Sequence, residues 1–181
     1  MSDLFVDNIK HQSSQGSGTI TIGTSGETVS LGTTAGGEIS AAPAFLATLS
    51  GNQSIGQNTW TKIQCNSESL GFDTDNAYDK DTNYRFTVPT GKGGKYLFQT
   101  GITMNNQFAY AESALYVNGS EAYRGTSIRE DTSTLNSSFL IDLDASDYVE
   151  VYCKQNQLSQ NIEGSSSLRR TYFSGHRLIG V

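Results

Sequence analysis

The stretch Gly94-Lys-Tyr96-Leu-Phe98-Gln-Thr100-Gly-Ile102 decides the fold class of this chain. Tyr96, Phe98, Thr100 and Ile102 occupy every second position, which places their side chains on one face of a β-strand. The same alternation returns in four other segments, namely 84–88, 115–117, 139–143 and 149–153. No segment of helix length shows the 3.6-residue period of a helix. The pattern predicts an all-β chain folded as a two-sheet sandwich or jelly roll.

Turn residues separate these segments and support the same fold class. Asn118-Gly119 follows an alternating strand directly, and this dipeptide is a strong signal for a two-residue β-hairpin. The chain contains 19 glycines and only 35% hydrophobic residues, a composition that favours many short strands with polar outer faces. We therefore predict little or no helix.

The charge pattern and the absence of long apolar stretches exclude two classes of partner. The net charge is −6, and Arg169-Arg170 is the only pair of adjacent basic residues. A surface that follows nucleic-acid phosphates needs clustered cations, so nucleic acid is not an expected partner. No apolar stretch approaches the length of a membrane span, so a membrane is not expected either.

Residues 1–43 differ from the remainder and predict a separate N-terminal segment. Thr19–Thr24 and Thr28–Thr33 form a short repeat, each copy having two apolar residues two positions apart before a glycine. The apolar residues of the repeat are Ile20, Ile22, Val29 and Leu31. Two copies cannot bury these side chains within one chain, whereas three parallel chains could bury them against each other. The sequence predicts a fibrous, trimeric stem over 1–43 and a head over 44–181; a flexible Gly/Ser/Thr linker is the alternative for the stem.

The two cysteines leave their pairing open. Cys65 and Cys153 both fall in or near predicted strands. Two buried, reduced thiols are one interpretation, and a disulfide between neighbouring strands is the other.

Four aspartates form the one acidic cluster of the sequence, at Asp73, Asp75, Asp79 and Asp81. Their oxygens are ligands of the type that Ca²⁺ prefers. The spacing departs from that of an EF-hand loop, since Ala77 stands where an oxygen ligand is expected. A solvated loop is therefore the expected structure, and a calcium site is the alternative.

Histidine spacing gives no support to an enzyme. The two histidines, His11 and His176, do not form a metal-binding pair, and no nucleophile motif accompanies either. The glycines in 91–95 lack the spacing and following helix of a phosphate-binding loop. We expect neither catalysis nor a cofactor.

Six motifs in order resemble the globular head of complement component 1q, in the superfamily shared with tumour necrosis factor (TNF). They are Pro43-Ala-Phe45-x-Ala47, Gly71-Phe-x-x-x-Asn76-x-Tyr78-Asp79 with Tyr84-x-Phe86-x-Val88-Pro89, Gly94-Lys-Tyr96-Leu-Phe98, Leu115-Tyr-Val117-Asn-Gly119, Leu143-Asp-Ala-Ser-Asp147-Tyr-Val149, and Tyr172-Phe-Ser-Gly175-x-x-Leu178. Ser146 departs from this pattern, because the family usually has glycine there.

The resemblance implies a trimeric jelly-roll head with no enzymatic activity. It also implies that four aromatic residues fill the core or the trimer axis. These are Phe45, Tyr96, Phe98 and Phe173.

The N-terminal segment resembles the stems of tailed-phage appendage proteins. This resemblance implies a homotrimeric fibre or capsid-decoration protein that is assembled in the host cytoplasm and exposed on the virion. Residues 1–40 would attach it to another virion protein. A non-viral trimeric recognition or carbohydrate-binding head is the alternative, although residues 1–20 lack the pattern of a signal peptide.

Loops are the expected place for a receptor to bind, because strands form the scaffold. The longest polar stretches are 105–112, 125–138 and 155–168. Tyr110, Tyr123 and Arg124 are the candidate contacts to a host-surface glycan or protein. The alternative is that all three are ordinary surface residues.

Overall fold

The computed structural model describes residues 42–105, 109–129, 134–158 and 160–178. The predicted stem, its apolar residues Ile20, Ile22, Val29 and Leu31, and the anchoring role of 1–40 lie outside the described residues.

The described residues form thirteen β-strands and no helix, which confirms the all-β prediction. The strands are β1 (Ala44–Thr48), β2 (Gln53–Ile55), β3 (Thr61–Lys62), β4 (Ser67–Asp73), β5 (Tyr78–Asp79), β6 (Arg85–Thr87), β7 (Gly94–Thr103), β8 (Ala111–Val117), β9 (Ser120–Ile128), β10 (Thr134–Leu143), β11 (Tyr148–Gln155), β12 (Gln160–Ile162) and β13 (Tyr172–Arg177). Because the described residues form no helix, this part of the chain contains no helix that could cross a membrane.

Two main sheets make up the sandwich. A five-stranded sheet has the order β10-β7-β13-β1-β4, and a six-stranded sheet has the order β5-β6-β11-β8-β9 with β3 beside β11. A small sheet pairs β12 with β2. The chain crosses between the main sheets from β7 to β8, from β9 to β10 and from β10 to β11, as in a jelly roll, whereas β8 and β9 form a hairpin within one sheet.

The core lies between the two main sheets and is rich in aromatic rings. Phe45, Tyr96, Phe98 and Phe173 are at most 2% exposed in the single chain. Phe45 meets Phe173 edge-on, with ring centroids 5.0 Å apart, and Tyr96 stacks on Phe98 at 5.8 Å. Gly175 is required beneath them, because a Cβ there would lie 2.4 Å from a carbon of the Phe98 ring. These four aromatics therefore fill the core of one chain.

The structure corrects the predicted extent of several strands. The stretch 125–138, predicted as a ligand-binding loop, contains the end of β9 and the beginning of β10. Most of β9 is exposed at the edge of the six-stranded sheet, so its polar sequence lacks the alternation that marks a half-buried strand. Tyr84 was predicted to begin a strand, but it has a φ of 52° and β6 begins one residue later.

The turn that joins β10 to β11 contains Ser146, where the family resemblance predicts glycine. The backbone N–H of Asp147 donates to the carbonyl of Asp144 at 3.1 Å, closing a four-residue turn. Ser146 occupies its third position with a φ of 75°, in the left-handed region that favours glycine. Serine is thus accommodated in the same turn with local backbone strain.

Candidate functional site

Three aromatic side chains cluster on the outer side of the six-stranded sheet. Leu115 and Val151 point into the core, so strand alternation turns their neighbours Tyr116 and Tyr152 outward. The rings of Tyr116 and Tyr152 stack with centroids 4.0 Å apart. Trp60, which directly precedes β3, meets Tyr116 edge-on at 6.3 Å. All three rings are half-buried and keep part of their surface open to solvent.

Two carboxylates beside these rings are almost fully buried. The side chains of Glu112 and Glu150 are 8% and 5% exposed. Lys62 Nζ donates to Glu150 at 2.5 Å, while the Tyr110 hydroxyl donates to Glu112 at 2.6 Å. Arg124 Nη1 lies 3.5 Å from Glu112. Each carboxylate is therefore held by a donor on a neighbouring segment.

Cations also lie against the indole of Trp60. The Arg124 guanidinium is 5.7 Å from the ring centroid, and Lys154 Nζ is 5.8 Å from it, which is cation–π range. We call the whole surface the aromatic face. It comprises Trp60, Tyr116 and Tyr152 with Lys62, Glu112, Glu121, Arg124, Glu150 and Lys154.

The tyrosine hydroxyls of this surface keep their protons at neutral pH. Burial and the nearby Glu150 carboxylate raise the pKa of Tyr152 to about 12. Burial also raises the pKa of Tyr116. The hydrogen bond to Glu112 is the main cause of the raised pKa of Tyr110. Protonated hydroxyls donate hydrogen bonds, as that of Tyr110 does to Glu112.

The structure separates the three predicted receptor contacts. Tyr110 and Arg124 meet at Glu112, beside the aromatic face. Tyr123 points the other way, is 42% exposed, and lies near Phe139 with ring centroids 6.2 Å apart. Two of the three predicted residues thus belong to one surface, and Tyr123 does not.

Sequence reasoning missed the aromatic residues of this surface. A signal for two of them was present, because Tyr116 and Tyr152 occupy the outward positions of strands whose inward positions are apolar. Trp60 carried a further signal as the only tryptophan of the chain. Their meeting depends on the pairing of β8 with β11, which alternation within one strand does not reveal.

The outer side of the five-stranded sheet has a different character. Leu46 on β1 pairs with Phe72 on β4, and Leu97 on β7 pairs with Leu140 on β10. Phe72 is 52% exposed and Leu140 is 57% exposed, whereas the other two are half-buried. His176 lies between Ala44 and Leu97 in the register of the sheet. We call Leu46, Phe72, Leu97 and Leu140 the leucine face.

The acidic loop uses its carboxylates to shape its own backbone. Asp79 accepts hydrogen bonds from the backbone N–H groups of 81–83, and these bonds lower its pKa, led by that from Thr82. Asp73 accepts from the N–H groups of Asp75 and Tyr78. Asp81 pairs with its neighbour Lys80 at 2.7 Å.

The calcium alternative requires several oxygen ligands gathered around one point. Among the residues that the structure describes, no group of three or more His, Cys, Asp or Glu side chains is placed to hold a metal ion. Asp73 and Asp79 cap turns of the described loop through their hydrogen bonds to backbone N–H groups.

The cysteines are free thiols in the core. Cys65 and Cys153 are both fully buried, and burial raises the pKa of each to about 12. Protonated, inaccessible thiols act as small apolar core residues. The structure therefore agrees with the interpretation of two reduced thiols and not with a disulfide.

Comparison with known proteins supports the fold. No protein-family model matches the chain, and no curated protein matches it. Among solved structures, the Eiger TNF of S. frugiperda is 12% identical with a TM-score of 0.52, covering 77% of this chain and 93% of that chain. A murine APRIL structure at pH 8.0 is 12% identical with a TM-score of 0.55, covering 76% of this chain and all (100%) of that chain.

These likenesses show the fold. The head is a TNF-like jelly-roll sandwich, as the motif resemblance predicted. They do not extend to the phage-type stem, which remains a prediction.

Proposed function

We propose that this chain is a homotrimeric structural and adhesive protein of a tailed-phage virion, with a head that binds a host-surface partner. It is a fibre or a capsid decoration, assembled in the host cytoplasm and exposed on the particle. Residues 1–40 attach it to another virion protein. The TNF-like jelly roll supports this proposal, because the family resemblance of the head implies a trimer.

The observation that carries the proposal is the leucine face. Phe72 and Leu140 are more than half exposed on the two edge strands of one sheet, and each lies beside a half-buried leucine, Leu46 or Leu97. His176 and Ser174 on β13 lie between the two apolar pairs. Exposed apolar side chains grouped on one sheet surface favour an interaction site. We expect further copies of this chain to bind this surface. Serines and Gln99 lie among its apolar residues, and a surface of mixed polarity can be self-complementary.

The predicted stem supports three copies independently of the head. Its repeat leaves Ile20, Ile22, Val29 and Leu31 without a partner in one chain, and three chains side by side would cover them. A trimeric stem and a trimeric head require the same symmetry, so each strengthens the other.

Analysis of purified virions tests the virion role. Quantitative mass spectrometry should find this chain in particles, at a copy number per particle divisible by three. A low copy number would indicate a fibre, whereas hundreds of copies would indicate a capsid decoration. A chain abundant in the lysate and absent from purified particles would overturn the virion role in favour of a non-viral recognition head.

Deletion of residues 1–40 tests the anchoring role separately. The truncated chain should be expressed in infected cells yet absent from particles. Incorporation at the level of the full chain would contradict attachment through this segment.

A further inference from the structure

We infer that the aromatic face is a binding site for a neutral saccharide built of pyranose rings. The inference rests on the proposed recognition function and names the ligand class and the residues for it. Its central groups are Trp60, Tyr116 and Tyr152, flanked by Glu112 and Glu150.

The aromatic rings supply the apolar part of such a site. A pyranose ring carries its axial C–H groups on one side as a flat apolar patch, and this patch packs on the face of an aromatic ring. Trp60 and Tyr152 are only half-buried, so ring surface is open to a ligand. Tryptophan and tyrosine offer large, stiff contact areas with a polar tip, which suits binding at a surface.

The charged groups supply the polar part. Each sugar hydroxyl both donates and accepts, and it is held best between an acceptor and a donor. Glu121 and Arg124 form such a pair at the border of the rings, 2.7 Å apart, with side chains 32% and 58% exposed. Lys62 is 29% exposed and adds a donor, which the nearly buried Glu150 holds in place. Hydrogen bonds to charged groups are stronger than neutral ones, so these pairs suit a hydroxyl-rich ligand.

The charge balance selects a neutral ligand. Three carboxylates, from Glu112, Glu121 and Glu150, face three cations, from Lys62, Arg124 and Lys154. Arg129 adds one cation at the border, where it lies over Tyr110. A polyanion such as nucleic acid requires a strong cationic excess, and the acidic groups at this surface would repel it.

Stability alone is a weak reason to place these charges here. Glu112 and Glu150 are nearly buried on the outer side of a sheet. Desolvating an ion pair costs about as much as the pair returns, and well-packed apolar side chains would serve stability equally well. A binding role accounts for carboxylates that hold Lys62 and Arg124 in place beside open aromatic rings.

The single tryptophan makes this inference directly testable. Trp60 is the only tryptophan of the chain, so its fluorescence reports on the proposed site alone. The full-length chain is titrated with lactose, maltotriose, cellotriose and chitotriose. At least one should change the emission in a saturable way.

Variants locate the binding. Tyr152→Ala should raise Kd about tenfold, equivalent to about 1.4 kcal/mol, whereas Tyr152→Phe, which keeps the ring, should bind nearly as the wild type does. Lys154→Ala removes a cation near Trp60 without removing a ring and should also weaken binding. Tyr123→Ala removes an exposed ring outside the aromatic face and should leave Kd unchanged.

The outcomes separate this inference from the proposed function. A trimer that binds none of the four saccharides, or that binds them equally well as wild type, Tyr152→Ala and Lys154→Ala, overturns the saccharide site and leaves the assembly proposal standing. A monomer that binds a neutral saccharide through these residues would support the site and contradict the trimer.

Discussion

The two outer faces of the sandwich differ in whether their side chains find partners within the chain. The aromatic face pairs its charged groups within the chain, as Lys62 does with Glu150. The leucine face leaves Phe72 and Leu140 more than half exposed. Two sheets of one domain therefore have outer surfaces that respond differently to mutation. Changes on the leucine face should affect assembly, and changes on the aromatic face should affect the stability of the chain and ligand binding.

The largest expected effect is the loss of assembly in Leu140→Asp. Leu140 is 57% exposed in the single chain, so the substitution should cost the isolated head little. In the proposed trimer it would bury an unpaired carboxylate in each copy, which costs several kcal/mol. Sedimentation velocity should show a shift from trimer to monomer.

Leu158→Asp is the matched control for that variant. Leu158 is 78% exposed and lies just after β11, away from the leucine face. The Leu158→Asp variant should sediment as a trimer, as the wild type does. Equal sedimentation of both variants would remove the leucine face from the assembly.

The next effect is a loss of stability in Lys62→Met. The variant leaves the nearly buried Glu150 carboxylate without its ion-pair partner. Because Lys62 is itself partly exposed, we expect the free energy of unfolding to fall by about 2 kcal/mol, below the full cost of a completely buried pair. Urea unfolding at fixed protein concentration measures this change.

Lys80→Met gives the contrasting control, in the acidic loop and away from both faces. Its partner Asp81 is 76% exposed, and surface pairs of this kind contribute little to stability. A loss as large in Lys80→Met as in Lys62→Met would contradict the special role of the nearly buried pair on the aromatic face.

A smaller, opposite effect is expected from Ser146→Gly, which touches neither face. Glycine adopts the φ of 75° at this position without the strain that serine carries. Part of the gain is offset by the greater freedom of glycine in the unfolded chain, so unfolding free energy should rise by up to about 1 kcal/mol. Assembly and saccharide binding should stay unchanged, and a lower Tm in calorimetry would refute the strain.

The smallest effect is expected from Asp147→Asn, and it depends on pH. Hydrogen bonds from Asn118 Nδ2 and the Asp144 N–H lower the pKa of Asp147 from its ordinary 3.8. The folded state then binds fewer protons than the unfolded state. The resulting stability is present above the ordinary pKa and is lost as pH falls through the lower folded pKa. Asp147→Asn should flatten the fall of Tm between pH 5 and 2, and a curve parallel to the wild type would contradict this.

Local patterns in the sequence predicted a large part of the fold. Alternation located β7, β10 and β11, whose inward residues form the core. Asn118-Gly119 predicted the hairpin between β8 and β9, and both residues have the positive φ that this turn requires. These predictions succeeded because a strand's inward face and a two-residue turn are both encoded by neighbouring residues.

The surfaces were less predictable because they depend on residues distant in sequence. Leu46 and Phe72 form part of the leucine face only through the pairing of β1 with β4, and β4 was not predicted as a strand. Trp60 meets Tyr116 across 56 positions of the sequence. Tyr110 and Arg124 were predicted as contacts from their types, yet their shared partner Glu112 emerges only from the folded sheet.

The mass of the full-length chain under native conditions tests the central claim most directly. The proposed trimer rests on the leucine face and the predicted stem repeat, so native mass spectrometry should find a species of three times 19.5 kDa. A single species of 19.5 kDa at micromolar concentration would contradict the account.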